Sequence, residues 1–355
     1  MKISHVEKFK VVVPMKPDTV NSPEFEFDAG LSRFDEIPKF VIRVHTNEGV
    51  AGIGETKRAV PEDAVDRGIA AIVGRDPTKM PLHNLPIPRN GAYGAFEIAL
   101  FDIVGKVQGV PAHVLLGGAV RDRVLLDYWT GRRTPEDLAR IAREGQKKGF
   151  TGIKIKCALE DPNVARIQAV AEACGPSFAI TVDPNTRFYQ PIHAIRLAKQ
   201  LEGYNIQVFE DPVPKDRLDW YVYLRSRINI PLGLHLGTIG QVWEALHRDA
   251  VDCLNISTAS MVAFVRLAYL AEAAGVPVWH GGGMELGILD AAVVHACAVA
   301  PACTLPSDIH GNFLREDDLL VEPLVVRDSH VLVPDKPGLG VELDEEGARR
   351  YAWKN

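Results

Sequence analysis

The 355-residue chain has no basic run, no CxxC pair and no apolar stretch near the ~18 residues that a membrane span requires. Each absence removes a class of function. Its 40 Lys and Arg face 46 Asp and Glu, a net charge of −6 spread along the sequence, so the electrostatic footprint of nucleic-acid binding is missing. The cysteines (Cys157, Cys174, Cys253, Cys297 and Cys303) are odd in number and sit mostly in apolar contexts. That excludes a disulfide-stapled scaffold and reads as reduced, buried thiols in a cytoplasmic protein. The opening MKISHVEKFKVVVP interrupts its one apolar patch with charges, so neither a secretory leader nor a membrane partner is expected.

What is present suits two domains, or one large α/β barrel with additions. Residues 1–60 alternate in strand fashion, in KISHVEKFKVVV and in KFVIRVHTNEGVAGIGET, where NEG supplies a hairpin turn. This opening reads as a small antiparallel meander. The Pro-, Asp- and Ser-rich segment between the two reads as a long loop over about 15–33, and residues 62–108 read as mostly helical.

From residue 124 the texture becomes short apolar strand, turn and amphipathic helix, repeated. The strand candidates are VLLDYW, GIKIK, FAITVD, IQVFE, PLGLH, CLNIS, PVWHG and CTLPSDI, which gives the eight βα-like units of a closed parallel barrel. The barrel is expected over 124–320. Lys156, Asp183, Glu210, His235, Ser257 and His280 stand at the ends of successive strands, spaced by 22 to 27 residues. Barrel active sites gather at that end of the strands, so these residues are candidates for one site.

Asp183 and Glu210 would converge in the barrel mouth, where two carboxylates repel unless a cation lies between them. Hard oxygen ligands suit Mg2+ best. Lys154 and Lys156 lie two apart on one strand and therefore face the same side, toward the same mouth. Their own strand offers them no acidic partner. Crowding two ammonium groups is expected to lower at least one pKa, which would make a base near neutral pH. A cation beside such a lysine points to removal of the α-proton of a carboxylate. Trp129, at the end of the first strand, is a candidate pocket residue, although alternation allows only one of Tyr128 and Trp129 to face inward. Glu24, Glu26 and Asp28 give the 15–33 loop a run of acidic charge.

With these residues in view, the chain resembles the enolase superfamily, in its mandelate racemase and muconate-lactonizing branch. The likeness rests on EIALFDIVGKVQGVPAHVLLGG, GIKIK, VDPNTR, FEDP, DIHGNFLREDDLL and PDKPGLGVELDEEG, and covers nearly the whole length. It implies an enolase-like (β/α) barrel with an α+β capping domain made of residues 1–123 and completed by 321–355, with the 15–33 loop as a lid. It implies that Asp183 and Glu210 are metal ligands, that Lys156 is the α-proton base, that Lys154 helps to hold the substrate carboxylate, and that Asn185 lies close to the metal. It further implies a small-molecule carboxylate substrate and a homo-oligomer.

The chain also departs from that pattern. His235 stands where the family places a third acidic ligand, which leaves open Mg2+, Mn2+ or another transition metal, or a hydrogen bond from His235 to Glu210 with water completing the shell. Ser257 replaces a second acid–base lysine on the sixth strand and has no pKa suited to the task, so its expected role is substrate binding, by a hydrogen bond or by positioning water. His280 is the remaining candidate for the opposite face, without the aspartate that usually orients it. The first expectation is therefore syn-dehydration of a β-hydroxy carboxylate, a sugar acid or a hydroxyproline-like amino acid, with Lys156 as base and then acid. Racemisation, epimerisation or cycloisomerisation with Lys156 and His280 is the alternative. A non-catalytic carboxylate-binding relative is the third.

Overall fold

The computed structural model describes residues 1–25 and 37–354. Of the expected lid, residues 26–33 lie outside the described residues, and Glu26 and Asp28 with them. Glu24 sits in the short turn Pro23–Phe25.

The N-terminal strands β1 (Ile3–Val11), β2 (Lys39–Thr46) and β3 (Ala51–Glu55) form an antiparallel meander in that order. Asn47–Gly49 turns β2 into β3, with Gly49 at a φ of 82° that favours glycine. Helix Tyr93–Gln108 packs flush on β3, because Gly52 and Gly54 carry no side chain there. A Cβ on Gly54 would meet the Ala95 carbonyl at 2.0 Å. The helix is buried from Tyr93 to Gly105, since its other side lies against the barrel. The expected helical stretch is only partly so: α-helix covers Glu62–Ile72 and Tyr93–Gln108, while the proline-rich residues between them make single 3₁₀ turns.

The first barrel candidate, VLLDYW, divides in two. Strand β4 (Arg123–Leu125) leaves the barrel to pair with the C-terminal hairpin β12 (Val326–Arg327) and β13 (His330–Leu332). Strand β5 (Tyr128–Thr130) begins a parallel sheet that continues through β6 (Gly152–Lys156), β7 (Ala179–Asp183), β8 (Ile206–Glu210), β9 (Leu232–Leu236), β10 (Cys253–Ile256) and β11 (Val278–His280). The eighth candidate, CTLPSDI, closes the ring through isolated bridges, Cys303 to Val278 and Ser307 to Leu126. Pro306 has no N–H to give a ladder, which accounts for the irregularity. The fold is thus a modified (β/α) barrel with an α+β cap. No helix among the described residues is long and apolar enough to cross a membrane. All five cysteines are free thiols.

Asp102, fully buried on helix Tyr93–Gln108, joins the two ends of the chain. It accepts hydrogen bonds from Ile53 N at 3.1 Å and Leu339 N at 2.9 Å, and from Lys106 Nζ at 2.7 Å. Removing it would leave two buried N–H groups unsatisfied and Lys106 without its carboxylate, holding only the Ala51 carbonyl. Asp102→Ala is expected to lower the free energy of unfolding by about 2–4 kcal/mol, measured by urea titration.

Candidate active site

Strand register decides which side chains reach the mouth. Trp129 pairs with Lys154, Lys154 with Thr181, and Lys156 with Asp183. Asn255 pairs with both His235 and Trp279. Laterally paired residues share a face, and the face alternates along a strand. Lys154, Lys156, Asp183, Glu210, His235 and Asn255 therefore all point inward, with Trp279, Val208 and Cys253 plugging the barrel beneath them.

Trp129 also faces inward. It is buried against Met284 and Leu314, beside Met15 and Val20 of the expected lid. Tyr128 faces outward, over Gly145.

His280 departs from the expectation. It pairs with Ile256, one step out of phase with the inward row, and packs outward against Phe264 of helix Met261–Ala273, the ring centroids 4.9 Å apart and tilted by 48°. Its Nε2 lies 2.9 Å from the Thr258 carbonyl, and burial first, with Lys57 second, draws its pKa down to about 4. It is a neutral, outward-facing histidine, and Trp279 takes the inward place on that strand.

The two lysines also differ from expectation, because acidic partners reach them from other strands. Lys154 Nζ lies 2.8 Å from Glu210 Oε2, 2.8 Å from Asp308 Oδ2 and 3.6 Å from Asp183 Oδ2. Burial alone would lower its pKa, but these three carboxylates outweigh it and hold the ammonium well above its usual range. Crowding by Lys156 therefore does not make Lys154 a base. Lys156, nearer the opening, contacts Asp183 and donates to Asn185 Oδ1 at 2.6 Å. Asp183 in turn accepts from Asn185 N at 2.9 Å.

Glu210 accepts from Asn255 Nδ2 at 2.7 Å, and His235 Nδ1 stands 3.8 Å from it, too far for the hydrogen bond considered from the sequence. Burial and the nearby Lys215 lower the pKa of His235 to about 3, so it presents an imidazole lone pair. Glu210, Asp211 and His235 bring ligand atoms within 4.8 Å of one another. Asp183 stands outside this tight trio. Asp211, not singled out in the sequence, takes His235 N at 2.8 Å and Lys215 Nζ at 2.7 Å, which leaves it less free to ligate. Even with Lys154 beside it, burial and then Asp183 push the Glu210 carboxyl up to about 8. That residual crowding of negative charge is the feature a divalent cation would relieve, and oxygen donors with one imidazole form a suitable set.

Ser257 follows β10 in the inward phase, and its hydroxyl accepts a hydrogen bond at 2.9 Å from Lys57 Nζ, which arrives from the cap. Sequence reasoning missed Lys57, 200 residues distant, and nothing in GETKR marked it. It also missed Asp308, although PSDI put an acidic residue at the end of the eighth candidate strand.

The chain matches the family described as mandelate racemase / muconate lactonizing enzyme, N-terminal domain, over residues 29–117, and that described as enolase C-terminal domain-like over 137–347. N-succinyl-L-Arg/Lys racemase of Bacillus cereus is 26% identical over 98% of this chain and 96% of its own. Its crystal structure superposes with a TM-score of 0.88 at 23% identity, covering 100% of this chain and 99% of that one. D-galactarolactone cycloisomerase of Agrobacterium fabrum is 30% identical over 92% of this chain and 94% of its own. Arabinonate dehydratase of Saccharolobus solfataricus is 26% identical over 88% and 90% respectively.

The raised Glu210 pKa has a consequence for stability. A carboxyl that binds its proton more tightly folded than unfolded stabilises the fold at low pH and loses that contribution as pH rises. In protein freed of divalent ions by a chelator, stability should fall between the ordinary carboxyl value of 4.5 and about 8. Urea titrations across that range should show this part of the slope absent in Glu210→Gln.

Proposed function

Because the chain belongs to the mandelate racemase and muconate lactonizing enzyme family, and so is an enolase-superfamily isomerase or lyase, we propose that Lys156 takes the α-proton of a small carboxylate and that the reaction proceeds to dehydration of a β-hydroxy acid. A sugar acid or a hydroxyproline-like amino acid is the substrate class. The observation that supports this reading best is the contrast between the two lysines. Lys154 is enclosed by three carboxylates as a fixed cation, whereas Lys156 stands at the opening of the mouth with Asp183 and Asn185 to orient it.

Asp183, Glu210 and His235 would hold the divalent cation that this family employs. Mg2+ fits the carboxylates, and the His235 nitrogen favours Mn2+ or another transition ion. When bound, such a cation would supply Lewis-acid stabilisation of the charge that builds on the substrate carboxylate. Around it, Lys156 as amine accepts the α-proton, Asn185 fixes the approach of its Nζ, and Lys154 offers a permanent positive charge to the substrate carboxylate.

Dehydration needs one base and an acid at the leaving hydroxyl, and it gains support from the outward turn of His280, which the Lys156–His280 isomerase required. The syn course expected from the sequence gave both proton transfers to Lys156, because Ser257 has no suitable proton. Isomerisation is the second reading, favoured by the ammonium of Lys57 on Ser257.

Pentonic and hexonic acids, hydroxyprolines and N-succinylamino acids incubated in deuterated water with Mg2+ or Mn2+ test the proposal. A keto acid should form from one of the sugar acids, or the cyclic imine from a hydroxyproline, and Lys156→Ala should lower the rate by about 10²–10⁴-fold. α-Deuterium in recovered acid or its epimer, without keto acid or imine, would overturn dehydration.

A further inference from the structure

We propose that Lys57, a residue of the cap, is the acid on the substrate face opposite Lys156. The proposal rests on α-proton removal by Lys156 as argued above, and it replaces the syn course with an anti one.

Position comes first. Lys156 ends the second of eight positions around the barrel and Ser257 follows the sixth, so the two stand across the mouth from each other. Ser257 is in the inward phase of its strand, and the Lys57 ammonium sits 2.9 Å from its Oγ. An ammonium at this point approaches a bound carboxylate from the side that Lys156 does not.

Placement is also rigid. Two residues before Lys57, Glu55 is fully buried and accepts from Leu286 N and Leu289 N, each at 2.8 Å, and pairs with Lys39 at 2.5 Å. On the barrel side, Glu97 of helix Tyr93–Gln108 accepts from Ser260 Oγ at 2.9 Å and Val262 N at 3.2 Å, holding the loop that carries Ser257. Cap and sixth-strand loop are therefore fastened together on both sides of the Lys57–Ser257 contact.

The surroundings leave the ammonium available. The charged and titratable groups facing it are Glu285, Lys39 and His280. Glu285, the only carboxylate of the three, is taken by Lys39 at 2.5 Å, and His280 is neutral. Among the described residues the recorded hydrogen-bond partner of Lys57 is the Ser257 hydroxyl, in contrast to Lys154 with its three carboxylates. An ammonium has three protons, so two remain for a substrate. Burial, partly offset by Glu285, lowers the Lys57 pKa, which eases release of one of them.

The step balances without a further reactant. The α-C–H bond breaks and its proton passes to the Lys156 amine, while the electron pair enters the carboxylate. That pair returns to form the α,β double bond as the β-C–O bond breaks, and the hydroxyl departs as water with a proton from Lys57. With the α-hydroxyl of a sugar acid the product is an enol, which tautomerises to the keto acid; with the α-nitrogen of a 3-hydroxyproline it is an enamine, which tautomerises to the cyclic imine. Solvent restores both lysines.

Wild type, Lys57→Met, Lys57→Arg and Lys156→Ala are compared in deuterated water with Mn2+ on the acid that wild type turns over. Exchange of α-hydrogen for deuterium reads Lys156, and product formation reads Lys57. In Lys57→Met, product (keto acid or imine, or epimer should the enzyme isomerise) should fall by about 10²–10⁴-fold while deuterium still enters recovered substrate. That retained exchange also shows the variant to be folded. Lys57→Arg, which keeps the charge but cannot give up a proton near neutral pH, should not restore product. Product within a few-fold of wild type in Lys57→Met, or restored by Lys57→Arg, would overturn the assignment. Loss of exchange and product together in Lys57→Met would make Lys57 a tether of the cap and overturn it equally. Exchange surviving in Lys156→Ala would instead count against the Lys156 reading, so the two failures are separable.

Discussion

Three buried carboxylates, Asp183, Glu210 and Asp211, and the partly buried Asp308 crowd the mouth of the barrel, and Lys154 is the cation that Asp183, Glu210 and Asp308 share. Breaking a buried ion pair by removing one partner costs about 3–5 kcal/mol, because the other charge is left without compensation. The cluster also completes the fold. Its Asp308 belongs to the irregular eighth segment, which lacks a ladder. The Lys154–Asp308 contact ties that segment to the second strand across the first, where backbone pairing is sparse. One ammonium thus closes the barrel and sets the charge of the site.

The cap depends on a second buried cluster of the same kind. Lys39 lies between Glu55 of β3 and Glu285 after β11, and Glu55 caps the helix that begins at Gly287. The cap is consequently fixed to the barrel rim, and a residue two places beyond Glu55 can be positioned as firmly as any on a barrel strand. This arrangement makes the cap a possible source of chemistry as well as a cover. Positive charge enters the mouth from three origins: Lys154 and Lys156 from the second strand, Lys215 beside Asp211, and Lys57 from the cap.

Much of this was legible in the sequence because period-two alternation is a strong constraint. GIKIK and ITVD each place their polar residues two apart, and register carries that phase on to Glu210 of QVFE and His235 of LGLH, so Lys154, Lys156, Asp183, Glu210 and His235 share one face. His280 broke the pattern because Trp279, large and apolar, fills the barrel interior, and a histidine at a strand end carries no mark of its phase. The eighth strand was read as regular although Pro306 forbids a ladder, and VLLDYW was read as one strand although its first half serves another sheet. The ion partners of the two lysines come from strands up to 154 residues away, and Lys57 meets Ser257 across 200. Contacts of that separation leave no local signature in one sequence.

The carboxylate cluster with His235 beside it is proposed as a cation site. Electron spin resonance of Mn2+ added to purified protein tests this most directly. One Mn2+ should bind per chain, be lost in Asp183→Asn and Glu210→Gln, and show a nitrogen coupling that disappears in His235→Ala. No bound Mn2+, or a coupling unchanged by His235→Ala, would contradict it.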